Sequence, residues 1–244
     1  MTQRTVLAVA GADRRKFLQD LITNDIARAD EGGIVYAALL TPQGKLIADF
    51  FVVAEPERYL IDVATPLAPT LFQRLSMYRL RSDVTIDETG LSVRMGLADA
   101  PEGALTDPRD PALGWRMYGS DSGGDIDWDA LRVANMIPES GRELGPETYI
   151  LEMGFERLGG VDFRKGCYVG QEVTARMKHK TALRKGLARV RVEGDAEEGA
   201  EITADGRAIG TLHTRAGHEA LAYLRFDRAG GEMRAGDAVV TLLD

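Results

Sequence analysis

From Leu183 onward the chain breaks into short alternating runs, LARVRVE, AEITADG, RAIGTLHT, EALAYLRF and AVVTLLD, each set off by glycine. A period of two sends successive side chains to opposite faces, so every run buries one face and wets the other. Strands this short and closely spaced predict a small antiparallel β-barrel. The chain before this point does not alternate in that way. It mixes apolar runs with stretches at helical spacing, and the order predicts an α+β fold with a C-terminal antiparallel barrel. The boundary is expected near 181–184, giving an α+β region over 1–182 and a barrel over 183–244.

Within the first region, residues 4–10 read as a strand and Asp13 as a helix cap. Phe17, Leu18, Leu21 and Ile22 make one apolar helical face. IVYAALL (34–40) and KLIADFFVV (45–53) flank the turn TPQG and predict a hairpin, which 59–64 extends. A helix follows with Thr65 as cap, Pro66 and Pro69 in its first turn and Leu67, Leu71, Leu75 and Tyr78 along one stripe. Strands are expected at 83–87 and 91–98. Residues 99–125 should be mostly loop around a strand at 113–118, and a helix over 128–138 is capped by Asp127 and ended by Pro138. No strand runs into a G-x-G-x-x-G helix and no phosphate-loop lysine occurs, which sets aside a doubly wound nucleotide fold.

Cys167 is the one cysteine among 244 residues, which rules out an internal disulfide or a multi-cysteine zinc site. It suits a reducing, cytoplasmic compartment. The three histidines have no ligand spacing, and no metal is expected. A formal charge of −8 argues against a nucleic-acid binder, and no apolar run is long enough to cross a bilayer. The short apolar run near the start is read as a strand and not as a signal peptide. Residues 164–185 run against the overall acidity. Arg164, Lys165, Arg176, Lys178, Lys180, Arg184 and Lys185 face Glu172 alone, seven minus one, or +6. Such a run is either a solvated loop or a docking surface for a polyanion.

That basic run begins at KGCYVGQE (165–172). Cys167 has two readings there: a small buried hydrophobe, as most free cysteines are, or a working thiol. Gly166 and Gly170 suggest a turn entering the helix VGQEVTARM, whose N-terminal N–H groups, with Lys165, would favour a thiolate. His179 lies twelve residues on, too far for a cysteine–histidine pair along one helix. Two carboxylates sit within apolar surroundings, Asp49 in LIADFFVV and Glu152 in YILEMGF. Each either faces solvent or points inward, where it would accept N–H donors from a heterocycle.

KGCYVGQE with Arg176, together with FLQDLITNDI (17–26), TPQGKLIADF (41–50) and LEMGFERLGGVDFRKGC (151–167), closely resembles the YgfZ family of folate-binding proteins. That family is similar to the aminomethyltransferase (T protein) of the glycine cleavage system. The resemblance covers about residues 10 to 180 and more weakly the barrel. It implies a cloverleaf of small α+β domains around a central cavity, with two intertwined subdomains before the barrel. It also implies tetrahydrofolate or a derivative as cofactor, and a role with iron–sulfur client proteins or their assembly machinery. On this resemblance Cys167 and Asp49 are the candidate catalytic residues. Glu152, Asp49, Lys165, Gly166, Tyr168, Gly170, Gln171, Glu172 and Arg176 are the candidate folate contacts. The T protein's paired aspartates read here as Ala48-Asp49, and its Arg-x-Glu-x-Gly block keeps Glu152 and Gly154 but loses the arginine. Folate binding is therefore expected over the alternative, a folate-dependent aminomethyl or one-carbon transferase.

Overall fold

The structure is a computed structural model and describes residues 2–119, 126–179 and 183–243. The chain forms two compact units that interleave in sequence. One takes Thr2–Ile126 and Phe155–Ala175, and the other Asp127–Gly154 and Arg176–Asp244.

The first unit is built on a five-stranded antiparallel sheet. Its strands are β1 (Arg4–Ala10), β2 (Ile34–Leu40), β3 (Leu46–Ala54), β4 (Arg58–Ala64) and β5 (Thr85–Glu88), in the order β2-β3-β4-β1-β5. Helices α1 (Arg14–Leu21), α2 (Ala27–Gly32) and α3 (Ala68–Arg79) belong to the same unit. Leu7, Val9, Ala37, Phe50, Ile61 and Val63 form one hydrophobic core with Phe17 and Leu18 of α1 and Leu71 and Leu75 of α3. The opposite sheet face carries Tyr36, Asp49, Phe51 and Asp62, and these are buried too. Burial on both faces is why IVYAALL and KLIADFFVV read as nearly unbroken apolar runs. A three-stranded sheet completes the unit: β6 (Ser92–Gly96), β7 (Leu105–Thr106) and β8 (Trp115–Gly119), ordered β6-β8-β7.

The second unit holds α4 (Trp128–Ala134) and a 3-10 turn at Ile150–Met153. It also holds the closed antiparallel barrel of β9 (Lys185–Glu193), β10 (Glu201–Ala204), β11 (Arg207–Ala216), β12 (Glu219–Arg225), β13 (Met233–Ala235) and β14 (Ala238–Leu242). Ala188, Val190 and Val192 of β9 point inward at every second position, as the alternating sequence required. The second unit therefore extends beyond the barrel strands to the preceding segment Asp127–Gly154. Helix α5 (Gln171–His179) lies across the point where the chain passes from one unit to the other.

Several local expectations are corrected. Asp13 does not cap α1 with its side chain; Oδ2 accepts the Asp83 N–H at 2.8 Å instead. A 3-10 turn, Thr65–Leu67, precedes α3. Asp127 does cap α4, accepting from Ala130 N, but the helix stops at Ala134 and not at Pro138, because Met136 adopts φ +49°. The expected strand at 113–118 starts later, after a 3-10 turn at Pro111–Leu113 capped by Asp110. Part of the 99–125 loop, residues 120–125, lies outside the described residues.

Candidate functional site

The cysteine loop is held by the sequence blocks that accompany it. Thr23 Oγ1 donates to Gly160 O at 2.7 Å, and Asn24 Nδ2 donates to Gly159 O and to Tyr36 O. The Asp162 N–H donates to Thr23 O, while its carboxylate accepts from Arg164 N and from Arg28 Nη2. TND and GGVDFR are thus two halves of one buried polar seam. Only 6% of Lys165 is exposed, and it donates all three of its N–H groups, to Gln19 O at 2.5 Å, Ile22 O at 2.6 Å and Asn24 O at 3.0 Å. Those carbonyls close the C-terminal end of α1, where helix C=O groups lack intrahelical partners. Burial pulls the Lys165 ammonium down to about 8, against the pull of Asp25, Asp20 and Asp162.

Tyr168 is buried on the other side of the cysteine, its hydroxyl pushed up to about 12 by burial, and Lys165 Nζ stands 5.3 Å from its ring centre. Gly170 adopts φ +83°, and a Cβ there would meet Thr41 O at 2.6 Å. Gly44 of the TPQG turn approaches Val173 as closely, so the turn and the start of α5 interlock through two glycines. Between these anchors Gly166 and Cys167 are exposed, and the thiol is free.

This geometry overturns the buried-hydrophobe reading of Cys167 and corrects its expected setting. Helix α5 begins at Gln171, so the thiol precedes the helix and is not in its first turn. Lys165 is committed to main-chain carbonyls and is not the loop's exposed charge. Of the expected folate contacts, Lys165 gives its three N–H groups to main-chain carbonyls and Gly170 packs against Thr41, while the buried Tyr168 hydroxyl has no hydrogen-bond partner among the described residues. Of the rest, Gly166, Glu172 and Arg176 are exposed and Gln171 is half-buried. In the basic run, Arg164, Arg176, Lys178, Arg184 and Lys185 are exposed, Lys165 is not, and Lys180 lies outside the described residues.

The two carboxylates have different fates. Asp49 is buried and accepts from Tyr36 Oη at 2.9 Å. It belongs to a polar layer that sequence reasoning missed. Asp62 takes Arg4 Nε at 2.5 Å, Arg116 Nη1 at 2.9 Å and Tyr118 Oη at 3.0 Å, and Asp107 takes Arg109 and Arg116. The guanidiniums of Arg116, Arg109 and Arg4 gather over the Phe51 ring at 3.8, 4.8 and 5.6 Å. Burial pushes the Asp62 carboxyl up, but Arg4 and Arg116 outweigh it and hold the group below the usual carboxylate range. Asp107 is held low in the same way by Arg109 and Arg116. The alternation of β3 and β4 placed Asp49 and Asp62 on one face, but nothing in sequence marked the arginines of residues 107–118 as their partners.

Glu152 sits in the 3-10 turn at Ile150–Met153, not in a strand. Its Oε2 accepts from Tyr223 Oη at 2.5 Å and lies 3.8 Å from Lys185 Nζ. Lys185 in turn stands over the Tyr223 ring at 5.4 Å. Gly186 makes this possible, since a Cβ there would meet Glu152 O at 2.7 Å. Glu152 lines a cavity of about 1110 Å³, with Met177, Arg184, Lys185, Tyr223 and Arg225. Among the described residues no group of three His, Cys, Asp or Glu side chains is placed to hold a metal ion.

Comparison with known proteins gives the ancestry of this arrangement. The description "CAF17, C-terminal beta-barrel domain" matches residues 184–244. A mouse protein named iron-sulfur cluster assembly factor IBA57, mitochondrial, is 30% identical across 94% of this chain and 78% of its own length. The chain belongs to the IBA57 family. The human protein of that name is 29% identical over the same shares, and a homologue from Mycosarcoma maydis is 30% identical over 75% of this chain. The chain spans only 54% of the fungal relative's length. In fold, 98% of the chain superimposes on 82% of the glycine cleavage system aminomethyltransferase T from Bartonella henselae, with a TM-score of 0.79 at 12% identity. The expected T-protein-like α+β fold with a C-terminal barrel is therefore the fold observed.

Proposed function

We propose that this protein is a folate-binding accessory factor for the assembly or repair of iron–sulfur enzymes, acting through Cys167. The observation that carries the proposal is the display of the thiol. A lone cysteine sits exposed on a loop locked from both sides by buried Lys165 and Tyr168, in a chain whose relatives are named iron–sulfur cluster assembly factors. A protein that needed Cys167 only as packing would have no reason to hold it in water.

The cluster is cargo in this reading, not a resident cofactor. Clusters take four protein ligands, typically thiolates, and this chain supplies one. The remaining ligands come from a client or from the assembly machinery, so Cys167 acts at a shared surface with exposed Arg164 nearby in sequence. An exposed, unpaired thiol fits a reducing compartment. The relatives are named mitochondrial, and the expected cytoplasmic location stands as a proposal beside that.

The Glu152 cavity fits the expected folate. Its volume of about 1110 Å³ lies just above the usual range of small-molecule sites, leaving room for a pterin with a p-aminobenzoyl arm. Glu152 would accept pterin N–H groups, the Tyr223 ring offers an apolar face, and Arg184, Lys185 and Arg225 suit the glutamate carboxylates. Tetrahydrofolate, when bound, supplies a reduced pterin able to carry one-carbon units. The chain's own residues hold it and, through the Tyr223 hydroxyl, fix the orientation of the Glu152 carboxylate. The surroundings of Asp49 do not fit a ligand, because the carboxylate is already bonded within a filled layer. This weighs against the transferase alternative, in which Asp49 would have to orient a substrate amine.

The test joins two measurements. Cys167→Ser should fold with unchanged stability and fail to restore iron–sulfur enzyme activity in cells lacking the factor. Calorimetric titration with tetrahydrofolate should show binding that the same variant retains. Full activity of Cys167→Ser would remove the thiol from the proposal, and absence of tetrahydrofolate binding would remove the folate.

A further inference from the structure

The floor of the Glu152 cavity is the outer face of the barrel, and strand register sets out its side chains in rows. Ile202, Leu212, Ala222 and Leu224 fill the barrel core, so their neighbours Glu201, Thr211 and Tyr223 face outward. Glu201 of β10 pairs with Thr211 of β11, and Thr211 with Tyr223 of β12. Side chains directly opposite one another on adjacent strands are neighbours, so these three form one row, and all three line the cavity. Arg225 and Lys185, paired across β12 and β9, make the next row. With Arg184 and Glu152 the lining holds three cations and two carboxylates among the described residues. Charge alone therefore selects no occupant, and the order of donors and acceptors must.

Tyr223 has one hydroxyl proton, and it goes to Glu152 Oε2 at 2.5 Å. Burial and the neighbouring Glu152 hold that proton on the tyrosine well beyond the usual tyrosine range. Toward a ligand Tyr223 Oη thus offers only lone pairs. The Glu152 side chain is 10% exposed, and Lys185 also stands by Oε2, which leaves Oε1 for further donors. Along the row, the Glu201 carboxylate accepts and the Thr211 hydroxyl can donate or accept. Neither group is hydrogen-bonded to any described residue. From the Glu152 end the row runs acceptor, donor, acceptor.

We propose that this row reads the oxidation state of a pterin at N8, with Glu201 as the residue that decides it. The inference rests on the folate reading of the cavity. One edge of a reduced pterin carries the 2-amino group, N1 and N8–H, in the order donor, acceptor, donor. That edge is the complement of Tyr223, Thr211 and Glu201. The opposite edge runs from the 4-oxo group to N5, and its carbonyl would set lone pairs against Tyr223 Oη. With Glu152 taking N3–H and one 2-amino hydrogen, the polarity of Tyr223 turns the N8 edge toward the barrel and N5 away from it. In a fully oxidised pterin N8 bears a lone pair and no hydrogen, and it would face the Glu201 carboxylate unmatched. A site built to receive an N–H rejects an analogue that lacks it. Dihydro and tetrahydro forms both carry N8–H, and a substituent on N5 leaves this edge unchanged. The row thus admits reduced folates whatever one-carbon unit N5 holds.

Competition calorimetry on the full chain compares tetrahydrofolate, 7,8-dihydrofolate, 5-formyltetrahydrofolate and folic acid. The three reduced forms should bind within about threefold of one another, and folic acid at least about tenfold more weakly. Glu201→Gln offers the oxidised N8 an N–H, so the ratio of tetrahydrofolate to folic acid affinity should shrink to within about threefold. Glu201 is exposed, so this variant should keep its fold, which thermal unfolding checks. Thr211→Val and Tyr223→Phe remove the partners of N1 and the 2-amino group, which every form carries. Each should weaken all four ligands roughly fivefold and leave the ratio alone. Folic acid binding as tightly as tetrahydrofolate would overturn the proposal, as would an unchanged ratio in Glu201→Gln or a ratio that moves with Thr211→Val or Tyr223→Phe. So would 5-formyltetrahydrofolate binding as poorly as folic acid, which would put N5 on the row. In each of these cases the folate site itself stands. If none of the four binds, the folate reading fails and this inference falls with it.

Discussion

Replacing Lys165 by methionine separates two opposing effects at the foot of the cysteine loop. Three carbonyls, Gln19 O, Ile22 O and Asn24 O, lose their donor. Hydrogen bonds to a charged group are worth about 1.5–3 kcal/mol each, so the loss is roughly 4–9 kcal/mol before relaxation. Against this, methionine removes a buried charge. Displacement of the ammonium from 10.5 to about 8 marks a cost of roughly 3 kcal/mol, nearer 2 once solvent screening is allowed for. Water entering the gap re-satisfies part of the carbonyls, and a net destabilisation of about 2–3 kcal/mol at pH 7 is expected. Denaturant unfolding measures it. The pH dependence tests the reasoning. The unfolded lysine keeps its proton to about 10.4, whereas the folded one releases it near 8. Between these values the unfolded chain binds more protons, so wild-type stability rises with pH while the methionine variant has no such contribution. The gap between the two proteins should therefore widen from pH 8 to 10. A gap that narrows over that window would mean the carbonyls raise the lysine's proton affinity, and the burial argument would be wrong.

The two glycines of the motif should behave oppositely. Gly170→Ala combines φ +83° with a Cβ at 2.6 Å from Thr41 O and should cost about 2–4 kcal/mol, whereas Gly166→Ala meets nothing within 4 Å and should be neutral within about 0.5 kcal/mol in the same denaturation assay. Asp62 is held below the usual carboxylate range, so its stabilisation is complete above about pH 4 and disappears as pH falls through its folded value. Asp62→Asn should lose about 3–5 kcal/mol at neutral pH and flatten the acid limb of stability below about pH 4; an unchanged limb would show that other carboxylates govern it. Glu152→Gln should weaken tetrahydrofolate binding at least about tenfold by calorimetry, and Asp49→Asn should leave that affinity within about twofold while lowering stability. The reverse pattern would place the ligand at Asp49.

What sequence could show followed from periodicity. The barrel was legible because β9 alternates without a break, and α1 and the hairpin because Phe17, Leu18 and the two apolar runs permit few other arrangements. Ranges failed where a single residue's backbone intervened, as at Met136, which ends α4 early. The site was legible as an inventory but not as an arrangement. Lys165 beside Cys167 in sequence suggested a charge beside a thiol. Its side chain instead reaches α1, more than a hundred residues away in the chain, and no local pattern encodes that partner. Glu152 was found because a carboxylate among apolar residues is conspicuous, while Tyr223 was missed because a tyrosine in an alternating strand is commonplace.

The polar layer on the second face of the five-stranded sheet carries a different lesson. Buried Asp49, Asp62 and Asp107 face buried Arg116 and the largely covered Arg4 and Arg109, three acids against three bases near Phe51. Well-packed apolar residues would give comparable stability, so stability alone does not account for them. Their geometry specifies register instead. Arg116 bridges Asp62 of β4 and Asp107 of the loop, and Tyr118, two residues along β8, reaches the same Asp62 oxygen. A slip of one residue in β8 would turn both away and strand a buried carboxylate, at a cost an apolar layer would never impose. A carboxylate kept for register is not available to a substrate. Asp49, bonded to Tyr36 at the edge of this balance, is by the same reasoning a weaker place for the proposed chemistry than the displayed thiol and the Glu152 cavity.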